Sequence, residues 1–397
     1  MIRSPRSSRA IAFGLMVFLS IACFSLVSLQ TRQPGLTSFL PDLQAARQRV
    51  MAKVPAISNL LDVQPVVEHE GEDSSQVPFG ADYRSNATML MLARNSDLMG
   101  VLQSVREAED RFNRNYKYPW VFLNEEDFTD EFKIRVANLV SGEVYFGTIP
   151  SEHWYQPDWI DEERAKAGRD ELVANQVIYG GSVSYRNMCR FNSGFFYHHE
   201  LLQQFKWYWR VEPDVHFYCD ITFDPFVYME ENDKKYAFTL TMLEFGQTIP
   251  TLWETTVDFI AKNPQYLAER NSLDYLSDDG GQTYNRCHFW SNFEIADLDF
   301  WRGEAYSAYF DHLDRAGGFY YERWGDAPVH SIAAALLLPK EQIHFFREIG
   351  YFHFPNIHCP AEYDIWRAGH CSCNPGESFD YTGDSCMRQW ERVNPLA

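Results

Sequence analysis

From residue 87 onward, short apolar runs alternate with segments of helical spacing, and this alternation leaves few folds open. Residues 87–94 read as a buried strand that stops at Asn95, Ser96 and Asp97. Residues 98–113 follow, with Leu98, Val101, Leu102 and Val105 on one helical face. Residues 119–124 read as the next strand and 128–139 as the next helix. Strand, helix, strand, helix in that order implies a parallel sheet with helices on its faces. Ligands of such sheets bind at the carboxyl ends of the strands, where Asn95 and Asn124 are expected. The chain contains no G-x-G-x-x-G and no phosphate-binding P-loop motif, so a dinucleotide or ATP site has no support.

With 397 residues, 45% of them hydrophobic and 16% aromatic, the chain can bury a large core. No second linker or repeat interrupts it from 79 to 397, which reads as one compact catalytic unit. The net charge of −20 excludes the basic surface that nucleic-acid binders use. It also means that an anionic substrate needs a metal ion or local arginines to bind.

Residues 11–29 are 19 consecutive uncharged residues, preceded by Arg3, Arg6 and Arg9, and no acid occurs before Asp42. That length just reaches across a bilayer core of ~30 Å. The positive flank places residues 1–10 in the cytosol and the bulk of the chain in a lumen. A cleaved signal peptide is the rival reading, although 11–29 is longer than the usual apolar region of one. Residues 30–78, rich in polar and charged side chains, read as a solvated stem. Of eight cysteines, Cys359, Cys371, Cys373 and Cys386 fall in the last 39 residues, in a segment rich in Gly, Asn, Asp and Ser. In an oxidising compartment this reads as a disulfide-stapled tail with at least one luminal cysteine left unpaired. Asn86-Ala87-Thr88 is a glycosylation sequon compatible with a lumen.

The stretch 207–226 carries the first cluster of candidate chemistry. An aromatic run leads into Glu212 and Asp214, and Asp220 and Asp224 follow. Residues 215–217 and 236–244 read as two further strands, the second closed by Glu244. Carboxylates at strand ends supply the hard oxygen ligands that a divalent cation needs, and the phosphates of a nucleotide sugar supply the rest. Any one of these acids alone is as readily a loop residue or a helix cap. His330 and His353 stand out among the histidines. His353 follows a segment, 340–349, that reads as helical, and imidazole is a neutral ligand that manganese accepts beside carboxylates. A core role among aromatics is the alternative. Glu294, within F-W-S-N-F-E-I, faces an aromatic environment that raises its pKa or requires a cationic partner. Asp326 lies in a W-G-D-A-P turn. No G-x-S-x-G occurs, so a serine hydrolase lacks its motif.

Six segments then resemble one family. They are YRNMCRFNSG at 185–194, WRVEP at 209–213, CDI at 219–221, IPTLW at 249–253, CHFWSNFEI at 287–295 and FYYERWGDAPVHSIA at 319–333. They are similar to the fungal Golgi α-1,2-mannosyltransferases of the killer-toxin-resistance type, glycosyltransferase family 15, and the likeness runs from about residue 80 to about 390. The resemblance implies a variant GT-A fold, with a mixed central sheet flanked by helices. It implies transfer of mannose from GDP-mannose, with Mn2+, to a terminal mannose of O- or N-linked glycans on cell-wall mannoproteins. It further implies a type II layout with the catalytic domain in the Golgi lumen. Carried over by position, Glu244 and His353 match the metal site, and Tyr185 and Arg210 match donor-binding positions. Glu212, Glu294 and Asp326 match acids around the transferred mannose, Glu294 at the place of the proposed nucleophile. Asp214 is not carried over. Donor and product are both α, so transfer with retention is expected, by double displacement or by front-face attack. A catalytically silent lectin or scaffold on the same fold is the competing class.

Overall fold

The structure is a computed structural model and describes residues 83–395. The expected tail, anchor and stem, and the first four residues of the expected catalytic unit, lie outside the described residues. Among the described residues no helix is long and apolar enough to cross a membrane.

Among the described residues twelve strands follow in chain order: β1 (Ala87–Leu92), β2 (Trp120–Asn124), β3 (Val144–Thr148), β4 (Trp207–Arg210), β5 (His216–Phe217), β6 (Tyr236–Phe238), β7 (Thr241–Leu243), β8 (Cys287–Phe289), β9 (Glu294–Asp297), β10 (Ile343–Phe345), β11 (Tyr351–His353) and β12 (Asn356–His358). The helices that position the site are α1 (Leu98–Ala108), α2 (Asp130–Ala137), α3 (Val183–Gly194), α4 (Pro225–Glu231), α5 (Glu304–Ala316) and α6 (Asp326–Leu337).

Seven strands form the central sheet in the order β10-β6-β9-β4-β1-β2-β3. Strands β3, β2, β1 and β4 are mutually parallel, as the opening alternation requires. Strand β9 runs antiparallel between β4 and β6, so the sheet is mixed. Side chains alternate across it, as the period of a strand demands. Met89, Trp120, Trp207 and Trp209 enter the apolar cluster on one face, and Leu90, Val121 and Tyr208 enter the cluster on the other. Burying large rings on both faces supplies the main driving force for folding, at about 25 cal/mol per Å² of apolar surface. The helix expected at 98–113 is α-helical to Ala108, and a wider π-turn continues it from Glu109 to Asn113.

Two expectations change here. Residues 236–244 are not one strand: β6 joins the central sheet, whereas β7 pairs with β8 in a separate two-stranded sheet. Residues 340–349 are not helical beyond the single turn Lys340–Gln342. Ile343–Phe345 instead becomes edge strand β10, parallel to β6, with Ile343 fully buried.

Disulfides Cys219–Cys371 and Cys287–Cys386 fasten the C-terminal segment to the sheet region, and Cys359–Cys373 closes a loop within that segment. Cys189 is free and buried on α3. The stapled tail with an unpaired cysteine is thus present.

Candidate active site

The strand order reverses between β1 and β4, and an open α/β sheet binds ligands at such a switch point, beyond the carboxyl ends of its strands. Arg210 ends β4 there. Because β9 runs the other way, its first residue, Glu294, pairs directly with Arg210. Alternation along β4 puts Tyr208 and Arg210 on one face. Three residue types that rarely share a buried surface therefore meet in one place.

Arg210 is 8% exposed. Its Nη1 donates to Asp326 Oδ2 at 2.6 Å, and its Nη2 donates to Glu212. Asp326 opens α6, where the positive helix terminus favours a carboxylate, and it also accepts from Ser291 Oγ at 2.7 Å. Burial alone pushes the Asp326 carboxyl up, but the Arg210 guanidinium outweighs this and holds it below the ordinary aspartate range. Glu212 is driven to about 2 in the same way, with burial opposed by Arg210 and His353. Burial would lower Arg210, but Asp326, Glu212 and Glu294 hold it well above its ordinary value. Two ionised acids therefore flank one permanent cation.

Glu294 is 1% exposed and has both oxygens occupied. Tyr208 donates its hydroxyl to Oε1 at 2.7 Å, and Trp301 donates its indole N–H to the Tyr208 oxygen at 3.0 Å. His330 Nδ1 faces Oε2 at 3.0 Å, and its Nε2 faces the Asn192 carbonyl at 3.0 Å.

The outer residues sit on either side of this core. The sheet β5-β11-β12 presents His353, whose Nε2 lies 3.4 Å from Glu212 Oε2 and whose ring packs edge-on against Trp290. Burial lowers the His353 imidazole, but Glu212 more than compensates and leaves it above the ordinary value. Glu244 follows β7. Its Oε1 accepts from the Phe245 amide at 2.7 Å and lies 3.8 Å from Arg323 Nη2. Arg323 is 4% exposed, its Nε has no hydrogen-bond partner, and its guanidinium lies over the Tyr185 ring at 5.1 Å. Tyr185 stacks on Tyr179 in the first turn of α3, which Ser182 caps.

The family model described as glycolipid 2-alpha-mannosyltransferase matches residues 42–395. The chain belongs to this family. The match begins within the segment expected as stem. Among curated relatives of this mannosyltransferase-family chain, glycolipid 2-alpha-mannosyltransferase 1 of Candida albicans is 52% identical over 86% of this chain and 82% of that protein. An alpha-1,2 mannosyltransferase of Saccharomyces cerevisiae, KTR1, is 54% identical over 79% of this chain and 80% of that one. Two solved structures share the fold. Core-mannan synthase A of Aspergillus fumigatus, in a Mn/GDP form, aligns with TM-score 0.74 and 40% identity over 83% of this chain and 92% of that one. The mannosyltransferase Ktr4p of S. cerevisiae, in complex with GDP, aligns with TM-score 0.75 and 39% identity over 89% and 93%. The expected α/β glycosyltransferase fold is therefore that of this family.

Within this mannosyltransferase fold, the acids of 212–224 part company. Asp214 takes a left-handed backbone, φ 60°, and its carboxylate packs over Gly100 so closely that a Cβ there would lie 2.4 Å from it. Asp220 pairs with Arg111 at 2.6 Å and with His370 at 3.0 Å. Asp224 caps α4 through the Phe226 and Val227 amides and accepts the Tyr118 hydroxyl at 2.7 Å. These three acids serve structure, and only Glu212 of that run reaches the site. Sequence reasoning missed Tyr208, Trp301, Ser291 and Arg323. The period of β4 carried the signal for Tyr208, since a residue two before Arg210 shares its face.

Proposed function

We propose that this enzyme transfers mannose from GDP-mannose, with Mn2+, to the 2-hydroxyl of a terminal mannose on O- or N-linked glycans of glycoproteins, retaining the α configuration. The observation that carries this reading is the buried array Arg210–Asp326–Glu212 beside Glu294 at the sheet's switch point. The GDP and Mn forms of the two related structures support the donor and the cation.

Glu244 and His353, a carboxylate and an imidazole on either side of the Arg210 core, are the two donors the reading gives to Mn2+, and donors of these types suit that ion. Among the described residues no three His, Cys, Asp or Glu side chains group closely enough to hold a metal alone. The chemistry of this donor set fits a cation that takes its remaining ligands from the nucleotide diphosphate. When bound, the cation neutralises the charge on the departing diphosphate. Arg323, with its unmet N–H beside Tyr185, is a second partner for that anion, which an acidic protein needs.

Asp326 and Glu212, both kept ionised, are acceptors for hydroxyls of the transferred mannose. Glu294 lies behind its anomeric carbon. The bond from that carbon to the phosphate oxygen breaks with its electron pair leaving on GDP. A bond to the acceptor oxygen forms, and the acceptor hydroxyl's proton passes to the phosphate oxygen of the departing GDP. Glu294 either attacks the carbon first and is displaced in turn, or stabilises the oxocarbenium-like state by its charge.

In the same reading residues 1–10 are a cytosolic tail, 11–29 a signal anchor, 30–78 a stem and 79–397 the catalytic domain. The enzyme is then a single-pass Golgi protein acting on cell-wall mannoproteins from the lumen. The full chain, incubated with GDP-mannose and methyl α-mannoside with and without EDTA, tests the central step. An α-1,2-linked disaccharide that forms only without EDTA is expected. No product, or activity indifferent to EDTA, overturns the reading.

A further inference from the structure

The contact between Glu294 and His330 can be taken further by counting hydrogens. The Asn192 carbonyl has no proton to give, so the His330 Nε2 that faces it at 3.0 Å carries the hydrogen of that bond. The Trp301 indole can only donate, and it donates to the Tyr208 oxygen. The Tyr208 hydroxyl proton is therefore directed to Glu294 Oε1. One contact remains, Nδ1 to Oε2 at 3.0 Å, between side chains that are 0% and 1% exposed. Two lone pairs facing each other in a dry site would leave a buried acceptor unmet and repelled. The contact must contain a proton, shared by one imidazole and one carboxyl.

The surroundings decide where that proton resides. Every element packed on the pair contributes. From β4 come the Tyr208 hydroxyl, which donates to the carboxylate, and the Arg210 cation, paired across the strands with Glu294. From β6 comes Tyr236, whose buried hydroxyl interacts with Glu294 as a further donor on the carboxylate side. From α6 comes the anionic Asp326, which interacts with His330. The Trp301 ring stacks on the imidazole with centroids 4.3 Å apart, and an indole face favours a cation. The Tyr306 ring, from α5, lies 6.0 Å away. A donor and a cation on the Glu294 side, with an anion and an indole face on the His330 side, favour carboxylate and imidazolium.

We propose that His330 is the positioning residue of Glu294: an imidazolium, anchored through Nε2 to Asn192, that donates Nδ1–H to Oε2 and keeps the carboxylate ionised and aimed. The inference rests on Glu294 being the carboxylate behind the anomeric carbon. His330 touches no substrate. Its work is to fix the charge and direction of a group that must be anionic to attack or to stabilise positive charge.

The variant that separates charge from mere packing is His330→Asn, which keeps a donor near the Nδ1 position and removes the titratable charge. In the full chain, kcat is expected to fall roughly 10²-fold, as for loss of one oriented donor, with KM for GDP-mannose unchanged. The acid limb of the kcat–pH profile is expected to move to higher pH, because Glu294 loses the cation that favours its ionised form. A folded variant whose acid limb stays in place overturns the proposal, whatever its kcat. Should the variant fail to fold, 15N spectra of histidine-labelled wild-type chain decide the matter. Both His330 nitrogens protonated at the pH of activity supports the proposal, and a neutral ring with bare Nδ1 overturns it. Glu294→Gln keeps the two failures apart. Near-normal turnover in that variant removes the role given to Glu294. An inert Glu294→Gln alongside an unmoved limb in His330→Asn removes only the role given to His330.

Discussion

Replacing Arg210 by methionine removes the cation that bridges Asp326 and Glu212 while filling much of the same space. Asp326, with a side chain 7% exposed, then keeps only its bond from Ser291. Glu212, 26% exposed, keeps His353 at 3.4 Å and can recruit water. Breaking a buried pair costs about 3–5 kcal/mol because a charge is left uncompensated. With one of the two acids part-hydrated, the lower end applies, about 3 kcal/mol. For a domain of about 310 residues this lowers Tm by about 5 °C at pH 7. The pH dependence follows from the same groups. In the native enzyme both acids are held below their ordinary values, so their contribution is present above the carboxylate range and is lost as pH falls through the folded values. Without Arg210, burial is opposed only by His353 at Glu212 and by His330 and Ser291 at Asp326, and both carboxyls move up. The variant then gains stability relative to wild type as pH falls and the acids take up protons. Thermal unfolding of both proteins at matched scan rates, from about pH 7 down through the carboxylate range to about pH 3, is the assay. A gap below about 1 °C at pH 7, or one that does not narrow on acidification, would refute the claim that Arg210 compensates two buried charges.

Other substitutions separate chemistry from structure. His353→Ala is expected to raise the Mn2+ concentration needed for half-maximal transfer with little change in acceptor KM, and an identical metal titration would rule out ligation. Asp214→Asn is expected to leave both turnover and the metal titration near wild type, since asparagine tolerates the left-handed backbone. A large loss of activity there would return Asp214 to the site. The buried pair of His358 and Asp380, 2.7 Å apart, carries its own signature. Burial lowers the His358 imidazole, but Asp380 outweighs this and raises it, with Glu348 adding to the effect. Its contribution is therefore complete below the ordinary histidine value and fades as pH rises through the folded value. The Tm deficit of His358→Gln should thus shrink between about pH 6 and about pH 8, and a deficit that grows with pH would contradict this assignment.

Strands β1 and β2 were legible because they and the helices after them carry their periods within single short segments, whereas their parallel neighbours β3 and β4 were not read as strands. What escaped was set by distant partners. Tyr236–Phe238 and Thr241–Leu243 look continuous in sequence, yet they hydrogen-bond to different strands and belong to different sheets. Ile343–Phe345 directly follows the turn Lys340–Gln342 and so read as its continuation, although its β-branched and aromatic residues suit the strand it forms beside β6. Among the site residues, Glu212, Glu294 and Asp326 could be named from motifs, but their shared cation required knowing that β9 runs back against β4. The acids at 214, 220 and 224 misled for a local reason. A carboxylate near a strand end is equally suited to a tight turn, an arginine pair or a helix cap, and each found one of these.

Glu294→Gln reaches the central claim most directly, since it keeps the size and removes the charge of the group placed behind the anomeric carbon. The full-length variant is expected to bind GDP and Mn2+ as wild type does and to form almost no disaccharide from GDP-mannose and methyl α-mannoside. Near-wild-type transfer by this variant would contradict the mechanism at its core.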